Sequence, residues 1–251
     1  MKKLFVVLIA LMIPILYSCE EADDIIENIG LTDSEIIAGL KEALTVGTDT
    51  AVSIVSQVDG YYKDELIKIL LPPEADIIVE NLNHPLITGL GLDQLVEDLI
   101  LKINRAAEDA AKDAAPIFWD AITDMTIADG YNILHGEDTA ATHYLREQTY
   151  SELFDLYAPK MQNSLDKDII AGVSAQDTWN TLTEQYNNVA NSVVGQIAGL
   201  QPVTSNLGVF VTNKGLNGLF VKIADEEMAI RHDPLARVTD LLRRVFGSLG
   251  N

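Results

Sequence analysis

The chain has 251 residues, of which 48% are hydrophobic, and its formal net charge at pH 7 is -21. This length and apolar content are sufficient for one domain with a substantial core. The acidic charge disfavours nucleic acid as a partner, because nucleic-acid binding depends on Lys and Arg side chains that neutralise phosphates. The same charge disfavours electrostatic attachment to an anionic lipid surface.

Residues 1–18 are predicted to form a bacterial secretory signal peptide. Lys2 and Lys3 precede an apolar run over residues 4–16. This run is shorter than the roughly 20 residues that a membrane-spanning helix needs, so cleavage after export is favoured over a permanent span. The sequence Leu-Tyr-Ser-Cys at positions 16–19 resembles the lipoprotein box of bacterial lipoproteins.

Cys19 is the only cysteine in the chain. A lone cysteine forms no intramolecular disulfide, and an unmodified thiol is a reactive liability in an exported protein. The resemblance to lipoproteins implies a diacylglycerol on the Cys19 sulfur and an acylated amino terminus, so that several acyl chains anchor the protein to a membrane. The alternative is an ordinary cleaved signal peptide followed by a chance cysteine.

Residues 19–30 are predicted to form an acidic tether between the lipid and the folded domain. Self-repulsion keeps such a segment extended, because it contains no basic partner. We expect a protein of the bacterial cell envelope, lipid-anchored at the outer membrane. Acidic residues directly after a lipidated cysteine also resemble the surface-export signal of some Gram-negative lipoproteins, which leaves both the periplasmic face and the cell surface open. The acidic side chains are Glu20, Glu21, Asp23, Asp24 and Glu27.

Residues 31–251 are predicted to form one all-α, bundle-like domain of eight or nine helices. Thr32 and Glu35 form a capping box that starts the first helix, and Thr126 with Asp129 resembles a second box. The residues around Pro72 are expected to be extended, because proline disfavours the α conformation of the residue before it. Further predicted helix starts are Asp93, Asp138, Ser174, Thr212 and Asp233, and predicted ends include Pro159 and Gly247.

The longest helix is predicted to begin at Asp93 and to continue to about Ala114. Its apolar positions cover an arc of roughly 160 degrees on a helical wheel, which indicates a central helix with neighbours on more than one side. In the first helix, Gly47 interrupts the apolar stripe. A glycine costs about 1 kcal/mol of helix propensity there, so a close helix crossing is the predicted reason for it.

Short blocks at residues 39–44, 104–108, 116–118, 121–122, 125–126, 140–142, 218–220, 230–231 and 245–247 follow one another along the chain. Together they resemble a bacterial envelope family catalogued as domain of unknown function 4197. The resemblance extends over residues 31–247. It implies an all-helical exported domain and supplies no activity.

Polar residues beside the predicted apolar faces are candidates for a ligand site or for structural ion pairs. Arg105 has the side chain to clamp a carboxylate or a phosphate through two hydrogen bonds. Glu227 continues an apolar stripe, and a buried carboxylate with a perturbed pKa is a candidate site. Arg231 lies four residues further on and is placed to pair with it; Arg105 and Arg146 are alternative partners. The full candidate cluster is Asn104, Arg105, Glu108, Asp120, Asp124, Arg146, Glu227 and Arg231.

Asp120 and Asp124 are one helical turn apart, as paired catalytic acids can be. Asp124 is also near a predicted helix C-terminus, where the helix dipole disfavours a negative charge. An ion pair with an arginine from another helix explains both residues without catalysis.

No metal site or cofactor is predicted. His135, Glu137, Asp138 and His143 surround one helix junction, but their spacing matches no established metal-ligand motif. Residues 164–167 match a Ser-x-x-Lys pattern that is weak without its partner motifs. The sequence also lacks the glycine-rich loops and the nucleophile elbow of common enzyme classes.

The sequence therefore favours a non-enzymatic envelope lipoprotein that binds a partner protein or a small amphiphile. One alternative is a hydrolase-like enzyme that uses Glu227, Asp120 or Asp124 as an acid or base. The other is a purely structural component of the envelope.

Overall fold

The computed structural model describes residues 31–168 and 172–247. The predicted signal peptide, Cys19 and the acidic tether lie outside the described residues. Within them the chain forms ten α-helices and two short 3₁₀ turns, and no strand. The prediction of an all-α domain is therefore confirmed, with one or two helices more than expected.

The helices are numbered here in chain order. They are α1 (Asp33–Val55), α2 (Asp76–Glu80), α3 (Leu92–Ala111), α4 (Ala115–Thr123), α5 (Ile127–Leu134), α6 (Ala140–Asp166), α7 (Ala175–Ala190), α8 (Val193–Ile197), α9 (Leu207–His232) and α10 (Asp240–Gly247). The 3₁₀ turns are Pro73–Ala75 and Pro234–Ala236.

Both predicted capping boxes are present. The Thr32 hydroxyl accepts a hydrogen bond from the Glu35 amide, and the Glu35 carboxylate accepts one from the Thr32 amide at 3.0 Å. Thr126 and Asp129 form the same pair of bonds at the start of α5. These bonds satisfy amides that have no partner within the helix, so both helix starts are specified locally.

The predicted helix starts at Asp93 and Asp138 are wrong at the residue level. α3 begins at Leu92, after Gly91 in a left-handed conformation, so Asp93 lies in the first turn and is not the cap. This helix is also not the longest, because α6 extends over 27 residues. α6 begins at Ala140, and the Asp138 carboxylate contacts the His232 ring at 2.8 Å instead of capping the helix.

Predictions based on single polar or proline residues also fail elsewhere. Thr212 does not start a helix, because α9 begins at Leu207 with the Asn206 side chain as its cap, and Thr212 is buried inside it. Pro159 does not end α6, which continues to Asp166. Beyond the proline, α6 buries Met161 and Leu165 in the core, so tertiary packing outweighs the local cost of proline.

The centre of the domain is formed by α1, α6 and α9. α9 packs against both α1 and α6, and α6 packs in turn against α3. α4, α5 and α10 contact α1, and α7 lies against α3. The core contains large side chains with almost no exposed surface, each of which contributes about 1.5–3 kcal/mol on burial. They include Tyr61, Leu99, Phe118, Tyr157, Leu219 and Phe246.

Candidate functional site

Glu227 is buried where α9 crosses the start of α6. One carboxylate oxygen accepts a hydrogen bond from the Ala141 amide at 3.0 Å. The other accepts bonds from the Thr142 amide and the Thr142 hydroxyl, both at 2.8 Å. These amides lie in the first turn of α6, which has no capping bond from its own Thr139. Glu227 therefore caps α6 from another helix, where the dipole favours a negative charge.

Arg231, one turn further along α9, neutralises this carboxylate. Its Nε and Nη2 atoms donate to the same Glu227 oxygen at 3.0 and 2.8 Å. The guanidinium also donates to the carbonyl oxygens of Ile133 and Leu134 at the end of α5. The predicted pair between Glu227 and Arg231 is thus formed, and each partner closes the end of a different helix.

The surroundings of Glu227 do not fit a catalytic acid or base. Both carboxylate oxygens are occupied by protein donors, and the side chain is buried. The adjacent cavity, lined by Leu40 and Phe246 among others, has a volume of about 10 Å³. Such a cavity holds at most about one water molecule and no substrate. The hydrolase alternative therefore gains no support from Glu227.

Asn104 holds the segment before Pro72 in place. Its side-chain amide donates to the Ile69 carbonyl oxygen, and its side-chain oxygen accepts from the Ile69 amide at 2.9 Å. These two bonds satisfy the backbone amide and carbonyl of Ile69, which in a β-sheet would pair with a neighbouring strand. Residues 68–72 are not helical, as predicted.

Arg105 and Glu108 perform a similar task for the turn at residues 59–62. The Arg105 guanidinium contacts the Asp59 and Glu108 carboxylates, each at 2.6 Å. Glu108 also accepts hydrogen bonds from the amides of Tyr61 and Tyr62. Lys63 and Arg105 hold the pKa of Asp59 below its ordinary value. This group is a structural clamp whose charges are paired, and it shares no hydrogen bond or ion pair with Glu227 within the described residues.

Arg146 pairs with neither Glu227 nor any other carboxylate in the described part of the chain. Its guanidinium donates to the Asn217 side-chain oxygen at 2.5 Å. It lies over the rings of Tyr150 and Phe220, at 5.2 and 5.4 Å from their centroids. Arg146 therefore joins α6 to α9 through a cation–π arrangement.

Asp120 and Asp124 line a groove between α4 and α6 with a volume of about 440 Å³. Both side chains are exposed, and neither forms an ion pair within the described residues, so the expected arginine partner is absent from them. Glu152 of α6 adds a third carboxylate to the groove. Leu156 and the half-buried Ile117 supply the apolar surface of the groove, and Leu153 lies beside them but is buried.

The eight predicted residues thus occupy five separate places, and among these five only the groove is open to a ligand. Glu152 and Leu156 were not among the predicted site residues. The apolar spacing along α6 could have identified them. It places Leu145, Leu153 and Tyr157 on one buried face of the helix, so Glu152 and Leu156 are expected on the exposed face. No lining residue of the groove is basic.

The weaker motifs have structural explanations. Ser164 and Lys167 both contact Asp109 of α3, the serine as a hydrogen-bond donor at 3.0 Å. The serine hydroxyl therefore bonds to a carboxylate and not to the lysine. Among residues 31–168 and 172–247, no three His, Cys, Asp or Glu side chains are grouped closely enough to hold a metal ion.

A family described as "Protein of unknown function (DUF4197)" matches residues 30–247. The chain belongs to this family. The resemblance noted in the sequence is therefore confirmed, and the DUF4197 description itself assigns no activity. No curated protein and no solved structure matches the chain. Within the described residues, no helix has the length and apolar character needed to cross a bilayer.

Proposed function

We propose that this DUF4197 protein is an envelope lipoprotein, anchored through Cys19, that binds a small cationic amphiphile in the groove between α4 and α6. The observation that carries the proposal is the composition of this groove. Three carboxylates and an exposed apolar surface line the same open concavity, and none of its lining residues is basic. A volume of about 440 Å³ falls within the usual range of small-ligand sites.

The chemistry of the lining selects the class of ligand. Asp120, Asp124 and Glu152 attract positive charge and repel anions, while Leu156 is 51% exposed and offers apolar surface to an alkyl chain. An uncharged amphiphile gains the apolar contact only. A small inorganic cation gains only the electrostatic attraction of the carboxylates. A molecule with a cationic head and an apolar chain uses both features.

Binding is best measured with the chain from Glu20 onward, which lacks the lipid. It retains every residue of the described core, so the fold is expected to be kept. The probe is trimethylammonium-diphenylhexatriene, which fluoresces in apolar surroundings, and the uncharged parent dye serves as the reference. We expect saturable binding of the cationic probe and weaker binding of the parent.

The variant Asp120→Asn/Glu152→Gln is expected to weaken binding of the cationic probe by about tenfold, because exposed charge pairs contribute up to about 1 kcal/mol each. The matched control is Glu74→Gln/Glu80→Gln, which removes the same charge from exposed positions outside the groove. Equal losses in both variants would show attraction by net charge alone and reject the groove.

The anchor is tested separately on the full chain isolated from bacterial membranes. Mass spectrometry of the N-terminal peptide is expected to show an acylated Cys19 as the first residue. A Cys19→Ala variant is expected to lose the modification. A free thiol at Cys19 in the native chain would reject the lipoprotein assignment and leave the groove proposal unaffected.

A further inference from the structure

The short helix α8, which follows α7, carries exposed apolar side chains. Val193, Val194 and Ile197 are 74%, 58% and 83% exposed. Large aliphatic side chains grouped at such exposure are typical of an interaction surface. Residues 193–199 are called the α8 tip below.

The α8 tip also lacks charge. No Asp, Glu, Lys or Arg occurs between Glu184 and Lys214, although the chain as a whole has a formal charge of -21. No other stretch within residues 31–247 is as long without a charged residue. An anionic membrane therefore repels this uncharged segment less than it repels the acidic segments of the chain.

The backbone fixes the tip in its exposed position. The Ser192 hydroxyl accepts a hydrogen bond from the Gly195 amide at 3.0 Å and caps α8. Gly195 packs so closely against the Val189 carbonyl that a side chain would not fit. The Asn187 side chain bonds both to the amide and to the carbonyl oxygen of Val203, at 2.7 and 2.9 Å. These bonds close the loop that follows α8, so the aliphatic side chains are held outside the core by the fold.

We propose that the α8 tip inserts into the boundary between headgroups and acyl chains of the bilayer that holds the Cys19 anchor. The inference rests on the proposed anchor. The residues between Cys19 and α1 span at most about 45 Å when extended, so the domain stays close to the lipid surface. An acyl anchor alone leaves the orientation of the domain free. A shallow apolar insertion at a second point sets that orientation without needing basic residues.

The test uses the full lipidated chain. Because Cys19 is the only cysteine and its sulfur is acylated in the proposed protein, the Ile197→Cys variant has a single reactive thiol. It is labelled with nitrobenzoxadiazole, and the chain is reconstituted into vesicles of phosphatidylethanolamine and phosphatidylglycerol. The control position is Leu235, which is 88% exposed in the turn after α9. We expect a blue shift and at least twofold quenching by brominated acyl chains at position 197 only.

Three results overturn the inference. A vesicle-bound chain whose dye at position 197 remains in water, like the dye at 235, shows that the anchor works and the tip does not insert. A blue shift without quenching by bromolipid, lost when the protein is diluted in the vesicles, shows that a second copy covers the tip. A Cys19 thiol that reacts with maleimide in the unlabelled native chain rejects the anchor, and with it the inference.

Discussion

Glu227 and Arg231 lie one turn apart on α9 and are joined by two hydrogen bonds to the same carboxylate oxygen, at 3.0 and 2.8 Å. The pair also closes the junction between two other helices, because the glutamate caps the start of α6 and the arginine caps the end of α5. α5, α6 and α9 are thereby fixed relative to one another by two side chains. The net stabilisation from a buried ion pair of this kind is small, since its desolvation offsets much of its attraction.

Glu227→Gln is expected to lower the free energy of unfolding by about 3–5 kcal/mol, because Arg231 is left buried without a compensating charge. Urea unfolding followed by circular dichroism at neutral pH measures the change. The control is Asp240→Asn, which breaks the exposed pair with Arg243 and should cost less than about 1 kcal/mol. Similar losses in the two variants would contradict the role assigned to the buried pair.

Local rules were sufficient for part of this arrangement and insufficient for the rest. The capping boxes at Thr32 and Thr126, and the pairing of Glu227 with Arg231, follow from spacing along the chain. Capping of α6 by Glu227 does not, because it depends on tertiary packing that brings residues 85 positions apart into contact. The same dependence explains the errors at Asp138 and Pro159, where a neighbouring helix decides the outcome.

The candidate site was predicted with similar limits. Sequence spacing identified Asp120 and Asp124 as a pair on one helix, and this is why they share a groove. The third carboxylate and the apolar wall come from α6, and single-helix periodicity does not report which helix packs beside α4. The expected arginine partner is absent from the described residues for the same reason, since Arg146 faces α9 instead.

Two buried tyrosines differ in whether their hydroxyl groups have a partner. The Tyr61 hydroxyl donates to the Gly215 carbonyl oxygen at 2.7 Å, whereas the Tyr157 hydroxyl has no partner within the described residues. Burial raises the pKa of both phenols, so both are neutral at ordinary pH. We expect Tyr61→Phe to cost about 1–2 kcal/mol, because the carbonyl loses its donor, and Tyr157→Phe to be neutral or stabilising. Thermal unfolding distinguishes them, and a larger loss for Tyr157→Phe would indicate a hidden partner for its hydroxyl.

Two acidic residues near Lys222 are expected to respond to pH in opposite directions. Burial, followed by repulsion from Asp225, raises the pKa of Glu226. Burial alone would raise the pKa of Asp64, but the Lys222 ammonium and the Leu66 amide hold it below its ordinary value. The charged form of Glu226 is thus disfavoured by folding, and the charged form of Asp64 is favoured.

Folding favours the protonated form of Glu226, and this form contributes to the free energy of unfolding. The contribution is complete below the unfolded pKa of about 4.3 and is lost as the pH rises through the folded pKa. Glu226→Gln should therefore stabilise the protein at pH 7 and have no effect in acid.

Folding favours the charged form of Asp64. Its contribution to stability is present above the unfolded pKa of about 3.9 and is lost as the pH falls through the folded pKa. Asp64→Asn should cost about 1 kcal/mol at pH 7, and the difference should vanish in acid. Urea midpoints measured from pH 3 to 7 test both signs, and parallel curves for the two variants would reject the assignment.

The two glycines on α1 make different demands on the packing. A side chain at Gly39 would meet a Val245 methyl group at 2.5 Å, where α10 crosses α1. A side chain at Gly47 would meet only the Glu226 Cβ atom, at an ordinary contact distance of 3.5 Å. The prediction that a close crossing requires Gly47 is therefore wrong, and the tight approach occurs two turns earlier.

Gly39→Ala is expected to destabilise the protein by about 1–3 kcal/mol, because Val245 is stiff and must be displaced. Gly47→Ala should stabilise it by up to about 1 kcal/mol through helix propensity, since its new methyl group fits. Each variant adds a single methyl group to the same helix, so one serves as the control for the other in thermal and urea unfolding. Two destabilised variants would mean that α1 and α9 pack more tightly at Gly47 than the 3.5 Å contact indicates, and two stabilised ones would mean that α10 yields to Gly39 without cost.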